Sequence, residues 1–221
     1  MLLLALDTSS AVVTAAVHDG ATLLAVAAEQ GAQAHGELLA PVVERALAAA
    51  GVAPSDLTDV ACGVGPGPFT GLRVGIVTAL VMGEALGIPV HGVCSLDVLA
   101  RQAALSSSVE SAFAVATDAR RKEVYLRRYS VDAEPLGQPE VVRPADVDAA
   151  VAAGPVVGPG AWLYPDAFVD PREPRALDGG ALASLVLARL ARGAGLLAPE
   201  PLYLRRPDAV ENAGRKRVTQ P

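Results

Sequence analysis

The stretch Leu2-Leu3-Leu4-Ala5-Leu6-Asp7-Thr8-Ser9-Ser10 opens the chain and decides how its first half folds. Its apolar run stops at Asp7, a second run from Val12 to Val17 stops at Asp19-Gly20, and a third follows from Thr22 to Ala28. Short apolar runs separated by turn residues are typical of β-strands, and Asp-Gly is a strong hairpin signal. The stretch therefore predicts the first of three antiparallel strands joined by tight turns.

Helices and further strands alternate after this meander. Apolar residues between His35 and Gly51 recur with the i, i+3, i+4 spacing of an amphipathic helix, which Pro41 is expected to kink. Three antiparallel strands followed by parallel strands with crossover helices predict an α/β fold with a mixed sheet, in the order of the ribonuclease H-like half of the actin and sugar-kinase superfamily. The remaining elements predicted in the first half are, in order, strand Leu57–Val64, helix Thr70–Leu86, strand Ile88–Val93 and helix Ser95–Leu105.

The second half is expected to form a smaller lobe. Strands are predicted from Phe113 to Asp118 and from Glu123 to Ser130, and a late helix from Gly180 to Arg192. Five prolines between positions 135 and 159 break the intervening segment into short pieces. We expect an N-terminal lobe over residues 1–106 and a degenerate C-terminal lobe over residues 107–221 that ends in a basic tail.

The composition excludes several classes of protein. With 52% hydrophobic residues the 221-residue chain can bury a sizeable core, and a net charge of −6 disfavours a general binder of nucleic-acid backbones. The best candidate for a membrane span, Val74 to Gly83, is far shorter than the ~20 residues that cross a bilayer, and the N-terminus lacks a secretion signal. We expect a cytoplasmic protein without membrane contact, in which Cys62 and Cys94 are buried free thiols.

Two aspartates at strand ends are candidates for a nucleotide site. Asp7-Thr8-Ser9 lies where the first strand turns back, and Asp118 ends the first strand of the second half. In phosphate-handling members of the actin and sugar-kinase superfamily, such a turn lets a carboxylate reach a metal ion while hydroxyl and backbone N–H groups meet phosphate. The plainer interpretation is that both aspartates bond to local backbone. It is favoured because Ala119-Arg120-Arg121-Lys122, and no glycine loop, follows Asp118.

The most specific stretch of the chain is Gly65-Pro66-Gly67-Pro68-Phe69-Thr70-Gly71-Leu72-Arg73-Val74-Gly75. It is not a Walker loop, because no Gly-Lys-Ser/Thr follows, and it predicts a strand-loop-helix transition with Thr70 as the N-cap. Each interior glycine destabilises a helix by ~1 kcal/mol relative to alanine, so the small residues that recur along this helix imply a close neighbour. That neighbour is either the chain's own sheet or another helix, with equal support. The stripe of small residues consists of Gly71, Gly75, Ala79, Gly83 and Gly87.

The sequence predicts no metal site. The histidines His18, His35 and His91 lie on three different elements. The residue four positions after His35 is Leu39, so the i, i+4 pair that binds zinc on a helix is missing.

Four stretches of the chain occur in the order of a known family: Leu4–Ser9, Gly63–Gly75, Asp118–Tyr125 and Pro201–Arg205. They resemble the opening strand, the Gly-Pro-Gly-Ser-Phe-Thr-Gly-x-Arg-x-Gly signature, the Asp-Ala-Arg-x-x-Glu-Val-Tyr turn and the closing motif of the bacterial TsaB family. Members of that family are dimerisation subunits of the machinery that makes threonylcarbamoyladenosine next to the anticodon of tRNA. Pro68 departs from the pattern, because serine is usual there.

The resemblance implies a two-lobed actin-like fold and a noncatalytic scaffold without a cofactor of its own, with nucleotide binding only at the shared complex. The catalytic partner of the family is TsaD, which holds a metal with a His-x-x-x-His helix; the counterpart here keeps only His35. The ATPase TsaE completes the assembly, tRNA is met through the complex, and the subunit pairs with itself when alone. The resemblance also favours a partner helix over the chain's own sheet as the neighbour of the small-residue stripe. The implied partner interface consists of His35, Leu38, Leu39, Val42, Ala46, Gly71, Gly75, Ala79 and Gly83.

Two other classes of function stay open beside the scaffold. An ATP-dependent kinase or nucleotide hydrolase would use Asp7, Thr8 and Asp118, and a metallopeptidase would need zinc ligands. The missing phosphate loop and the short second lobe disfavour the first class, and the lone His35 disfavours the second.

Overall fold

The computed structural model describes residues 1–31 and 34–205, so the basic tail from residue 206 onward lies outside the described residues. The described chain forms two five-stranded sheets. The strands are β1 Leu3–Asp7, β2 Val12–His18, β3 Leu23–Gln30, β4 Asp59–Gly63, β5 Val90–Val93, β6 Phe113–Asp118, β7 Val124–Tyr129, β8 Glu140–Val142, β9 Pro155–Val157 and β10 Asp170–Arg172. The α-helices are α1 His35–Ala50, α2 Phe69–Leu86, α3 Ser95–Leu105, α4 Ala149–Ala153, α5 Pro159–Leu163 and α6 Gly179–Ala191.

The first sheet has the strand order β3-β2-β1-β4-β5. Strand β1 pairs antiparallel with β2, where Leu6 faces Ala15, and parallel with β4, where Leu6 faces Cys62. All five residues of β1 are buried, as a central strand covered on both faces requires. The predicted α/β fold with a mixed sheet is confirmed.

Helices cover both faces of this sheet. Because side chains alternate along a strand, Leu4 and Leu6 of β1 join one core with α1 and α2, while Leu3 and Ala5 join another with α3 and α6. Helix α1 runs through Pro41 without interruption. Because α1 and α2 contribute to the same core, they lie on the same face of the sheet. The N-terminus of α2 packs directly against the turn at the end of β1.

The N-cap predicted for α2 is wrong. The helix begins at Phe69, and the Leu72 N–H donates to the carbonyl oxygen of Pro68 at 3.0 Å, which puts Thr70 inside the first turn. No side chain caps this end of the helix. Pro68, with φ of −59°, is the N-cap residue instead and leads the chain into the helix two positions before Thr70.

The second sheet has the order β10-β9-β6-β7-β8 and as many strands as the first, although β8, β9 and β10 are only three residues long. Helix α6 returns to the first sheet, where the Gly179 N–H donates to Thr14 Oγ1 at 3.1 Å and Leu182 packs in one core with Leu3. Residues beyond position 106 thus contribute to the core of the first lobe.

A buried charge cluster joins the two lobes. Asp97 of α3 accepts hydrogen bonds from Arg127 at 2.7 Å and Tyr129 at 2.7 Å on β7, and from Arg189 of α6 at 2.6 Å. Each buried polar group in the cluster therefore has a partner, which a low-dielectric interior requires. The cluster holds α3 against β7 of the second lobe and against α6.

Helix α2 is, among the described helices, the one that is long and apolar enough to cross a membrane by length and composition. Its 18 residues carry only two charged side chains, Arg73 and Glu84. The whole helix is therefore long enough to cross a membrane, whereas the uncharged segment between these two residues is too short. One third of the helix is buried inside the protein. Length and composition alone are weak evidence, because core helices of soluble proteins meet the same criterion.

Candidate functional site

The turn after β1 is a sealed hydrogen-bonded unit. Asp7 Oδ1 accepts from the backbone N–H of Ser9 at 2.6 Å and from its hydroxyl at 2.7 Å, and Asp7 Oδ2 accepts from Ser95 Oγ at 2.7 Å. Asp7 and Thr8 are fully buried. Burial raises the pKa of the Asp7 carboxyl above its ordinary value, although the hydrogen bonds from Ser9 and Ser95 act in the opposite direction.

Four glycines make this sealing possible. A Cβ on Gly71 would lie 2.5 Å from the carbonyl oxygen of Thr8, and a Cβ on Gly75 would overlap Thr8 Oγ1. A Cβ on Gly63 would likewise overlap the Asp7 carboxylate, and one on Gly67 the carbonyl oxygen of Ser9. The two motifs that stood out in the sequence are therefore one packed unit, in which the glycines let the backbone lie directly on the turn.

The hydroxyl of Thr8 fastens α2 to that turn. It donates to the carbonyl oxygen of Gly71 at 2.7 Å and accepts from the Gly75 N–H at 3.1 Å. Both glycines belong to the first two turns of α2. Thr8 consequently helps to fix the position of the helix.

A cleft of about 180 Å³ lies between the two sheets. Ser9, Ser95, Asp118 and Arg120 line it, and the Asp118 carboxylate accepts from the backbone N–H of Arg120 at 2.8 Å. The structure thus brings Ser9 and Asp118 of the predicted nucleotide site together, whereas Asp7 and Thr8 are buried beneath the surface. The Asp118 carboxylate, held by its own turn, faces the cleft.

Metal-ligating residues do not converge within residues 1–31 and 34–205, where no group of three or more His, Cys, Asp or Glu side chains is found. His35 is buried, and its Nε2 lies 2.7 Å from the carbonyl oxygen of Ser10, to which it donates. Cys62 and Cys94 are free and buried, as predicted, and burial raises the pKa of both thiols to about 12.

The small-residue stripe of α2 faces inward, which corrects the residues assigned to a partner interface. Gly71, Gly75, Ala79 and Gly83 are all buried, the last so close to β5 that a Cβ would overlap Val90 Cγ2. The fifth member, Gly87, instead ends the helix with a φ of +66°, a conformation that glycine adopts readily.

The face assigned to a partner on α1 is inward as well. Its core-facing side chains pack on the first sheet, and only Leu38 is half-buried. The close neighbours of both sets of residues belong to this chain: they are the first sheet, the turn at Thr8 and, for Gly71, also His35 of α1. The buried members on α1 are His35, Leu39, Val42 and Ala46.

The outward face of α2 carries the exposed apolar residues instead. The exposed fractions are 55% for Val77, 42% for Leu80 and 61% for Val81. At the N-terminal end of the same helix, Phe69 stacks on Tyr203, with ring centroids 4.9 Å apart. We call Phe69, Val77, Leu80 and Val81 the outer face of α2.

Comparisons with known proteins agree on one family. A model of the family described as TsaD, tRNA N6-adenosine threonylcarbamoyltransferase, matches residues 25–158, more than half of the chain. An uncharacterized protein of Mycobacterium bovis is 43% identical over 210 residues, which cover 93% of this chain and 92% of that protein. The tRNA threonylcarbamoyladenosine biosynthesis protein TsaB of Escherichia coli is 34% identical over 134 residues, 60% of this chain and 56% of that protein.

A solved structure is similar over nearly the whole chain. It is an uncharacterized Pseudomonas aeruginosa protein with similarity to peptidase YeaZ, and it superposes with a TM-score of 0.80 at 33% identity, covering 92% of this chain and 99% of the other. The sequence comparisons and the structural comparison therefore indicate the same family. The chain belongs to the family that the TsaD model describes and, within it, to the TsaB/YeaZ proteins.

Proposed function

We propose that this chain is a noncatalytic scaffold for threonylcarbamoyl transfer to the adenosine next to the anticodon of tRNA, and that it acts by binding a TsaD subunit. Binding uses the outward surfaces of α1 and α2. The assembly includes the ATPase TsaE, meets tRNA through the complex and works in the cytoplasm. The chain has no cofactor of its own, binds nucleotide only at the shared complex and pairs with itself when alone.

The outer face of α2 is the observation that carries this proposal. Apolar side chains that follow each other along an exposed helix form a contiguous patch, which soluble proteins commonly reserve for an interface. Leu80 and Val81 lie about one helical turn after Val77, and the three form such a patch. Burying it against another helix would gain roughly 25 cal/mol for each Å² of apolar surface removed from water.

The sealed turn supports the noncatalytic part of the proposal. A kinase or nucleotide hydrolase of this fold would need the Asp7 carboxylate to reach a metal ion from the cleft. Here that carboxylate is buried and already accepts three hydrogen bonds from Ser9 and Ser95. The hydroxyl of Thr8 is committed to the backbone of α2 in the same way.

Light scattering after size-exclusion chromatography tests the proposal. The chain, TsaD from the same source and their mixture are compared, each also with Val77→Glu and Val81→Glu in this chain. Val169→Glu is the matched control, because Val169 is 76% exposed in the second lobe. We expect a 1:1 species with the wild type and the control that both outer-face variants lose. Two unchanged proteins in the wild-type mixture at micromolar concentrations would refute the scaffold.

Nucleotide turnover by the isolated chain separates the scaffold from the kinase. We expect no release of phosphate from ATP above the level of an Asp118→Asn variant. Turnover that this variant abolishes would favour the enzyme over the scaffold.

A further inference from the structure

The last described residues form a strap across both lobes. The backbones of Leu197 and Gly92 exchange two hydrogen bonds, at 2.8 and 2.9 Å, and the Leu202 N–H donates to the carbonyl oxygen of Val64 at 2.8 Å. Arg205 then reaches the second lobe, where it donates to the carbonyl oxygen of Ala119 at 2.9 Å and pairs with Glu123. We call residues 197–205 the C-terminal strap.

Tyr203 of the strap builds a cluster on the first turn of α2. Its ring stacks on Phe69 with an interplanar angle of 23°, and its hydroxyl accepts from Arg73 Nε at 3.0 Å. The guanidinium of Arg73 also lies 3.8 Å from the centroid of the Phe69 ring. The three side chains fix one another, yet Phe69 remains 37% and Tyr203 40% exposed.

The cluster continues the outer face of α2. Phe69, Arg73 and Val77 are spaced by four residues, so they follow one line along the helix, and the line ends in Val81. A shallow depression runs along it between Phe69 and Thr78. Tyr203 therefore extends the exposed surface of this face with a ring from a distant part of the chain.

The charge of the cluster indicates the chemistry of its partner. Within residues 1–31 and 34–205, Arg73 forms no ion pair with a carboxylate; its guanidinium donates to the Tyr203 hydroxyl and lies over the Phe69 ring. Arginine beside aromatic rings is the composition of interface hot spots, where a preordered group loses little entropy on binding. A matching surface would present apolar side chains together with a carboxylate opposite Arg73.

We propose that Tyr203 of the C-terminal strap is part of the partner-binding surface, and that it holds Phe69 and Arg73 ready for an apolar, carboxylate-bearing face of TsaD. This inference rests on the proposed pairing with TsaD. The proposed binding surface otherwise consists of apolar positions on the helices. The inference adds to it Tyr203, which lies more than 100 positions beyond the two helices, and a polar contact made by Arg73.

Titration calorimetry with the full chain and TsaD tests the inference. We expect Tyr203→Ala to weaken binding by at least about tenfold, as removal of a hot-spot ring does, and Tyr203→Phe to weaken it less because stacking on Phe69 survives. Arg73→Gln should weaken binding and also flatten its dependence on salt concentration. Leu136→Ala, an exposed apolar position in the second lobe, is the control and should bind like the wild type.

The outcomes distinguish this inference from the scaffold proposal. Thermal unfolding followed by circular dichroism identifies variants that fold, and Tyr203→Phe and Arg73→Gln provide readings if Tyr203→Ala does not. If Val77→Glu abolishes binding while the folded Tyr203 and Arg73 variants bind like the wild type, the role of the strap is refuted and the scaffold stands. If the wild type does not bind TsaD, both are refuted.

Discussion

The two sides of helix α2 differ in what their side chains meet. On the inner side, Gly71 and Gly75 lie so close to Thr8 that not even a methyl group fits between them. On the outer side, Val77 and Val81 are more than half exposed. Small residues thus mark the side that packs within the chain, and large apolar residues mark the side that stays exposed.

This difference shows what a stripe of small residues in a helix can reveal. Such a stripe indicates that a backbone or a short side chain approaches closely, but the same stripe serves a partner helix and the chain's own strand turn equally well. Here the approach is intramolecular, since the stripe packs on Thr8 and on Val90.

The largest effect is expected from Gly75→Leu on the inner side. The new side chain overlaps Thr8 Oγ1 and separates it from the Gly75 N–H, so overpacking and a broken buried hydrogen bond act together and lower the free energy of unfolding by about 3 kcal/mol. Val77→Leu, half a turn away on the outer side, is the control and should change it little. Urea unfolding measures both; equal stabilities would show that α2 can move away from the turn.

A smaller loss is expected from Thr8→Val. Valine keeps the volume of threonine but removes the hydroxyl that bonds the Gly71 carbonyl and the Gly75 N–H, which should lower the free energy of unfolding by about 1–2 kcal/mol. Thr8→Ser keeps the hydroxyl and serves as the control in the same urea titration. A serine variant less stable than the valine variant would assign the role of Thr8 to its methyl group.

Asp7→Asn tests the sealed carboxylate through pH. Burial raises the pKa of Asp7 in the folded chain, so the stability this group contributes is present below its ordinary pKa and is lost as pH rises through the raised value. The asparagine variant should therefore gain stability relative to the wild type as pH rises from acid to neutral. Urea unfolding across this range measures the difference.

Asp19→Asn is the matched control with the opposite sign. The exposed Asp19 carboxylate accepts hydrogen bonds from Ala21 and Thr22, which hold its pKa below the ordinary value. Its stabilisation is present above the unfolded pKa and is lost as pH falls, so the asparagine variant should lose stability relative to the wild type as pH rises. The same slope for both variants would contradict the assignment of Asp7 as a buried, raised group.

The sequence predicted the first three strands and helix α1 because the local sequence signals in this region agree with the global fold. Apolar runs ending at Asp7 and Asp19-Gly20 gave the meander, and the periodicity after His35 gave α1, starting at the right residue. The start of α2 was missed by one residue, since a proline can lead into a helix where a hydroxyl was expected to cap it. The return of α6 to the first sheet depends on contacts between distant residues, which no local pattern records.

The candidate site was harder to predict for the same reason. The sequence singled out Asp7 and the glycine stretch as separate motifs, and Ser95 only as the start of a helix. Only their contact in the folded chain shows that Gly63 and Ser95 enclose the Asp7 carboxylate. The orientation of α2 was hidden because the helix is apolar nearly all round, so its periodicity does not separate a buried side from an exposed one. Tyr203 carried no signal beyond its place in a closing motif, since its partner Phe69 lies in another half of the chain.

The smallest effect is expected on the outer side, from Val81→Ala. Alanine favours the helix by about 0.5 kcal/mol over valine because it loses no side-chain freedom, and this gain offsets the small apolar burial that a 61% exposed residue gives up. The free energy of unfolding of the monomer should therefore stay within about 0.5 kcal/mol of the wild type. Urea unfolding at several protein concentrations checks this. A loss that grows with concentration would report the proposed pairing of the chain with itself through the outer face. A larger loss that is independent of concentration would mean that Val81 packs inside its own chain and would end the contrast between the two sides.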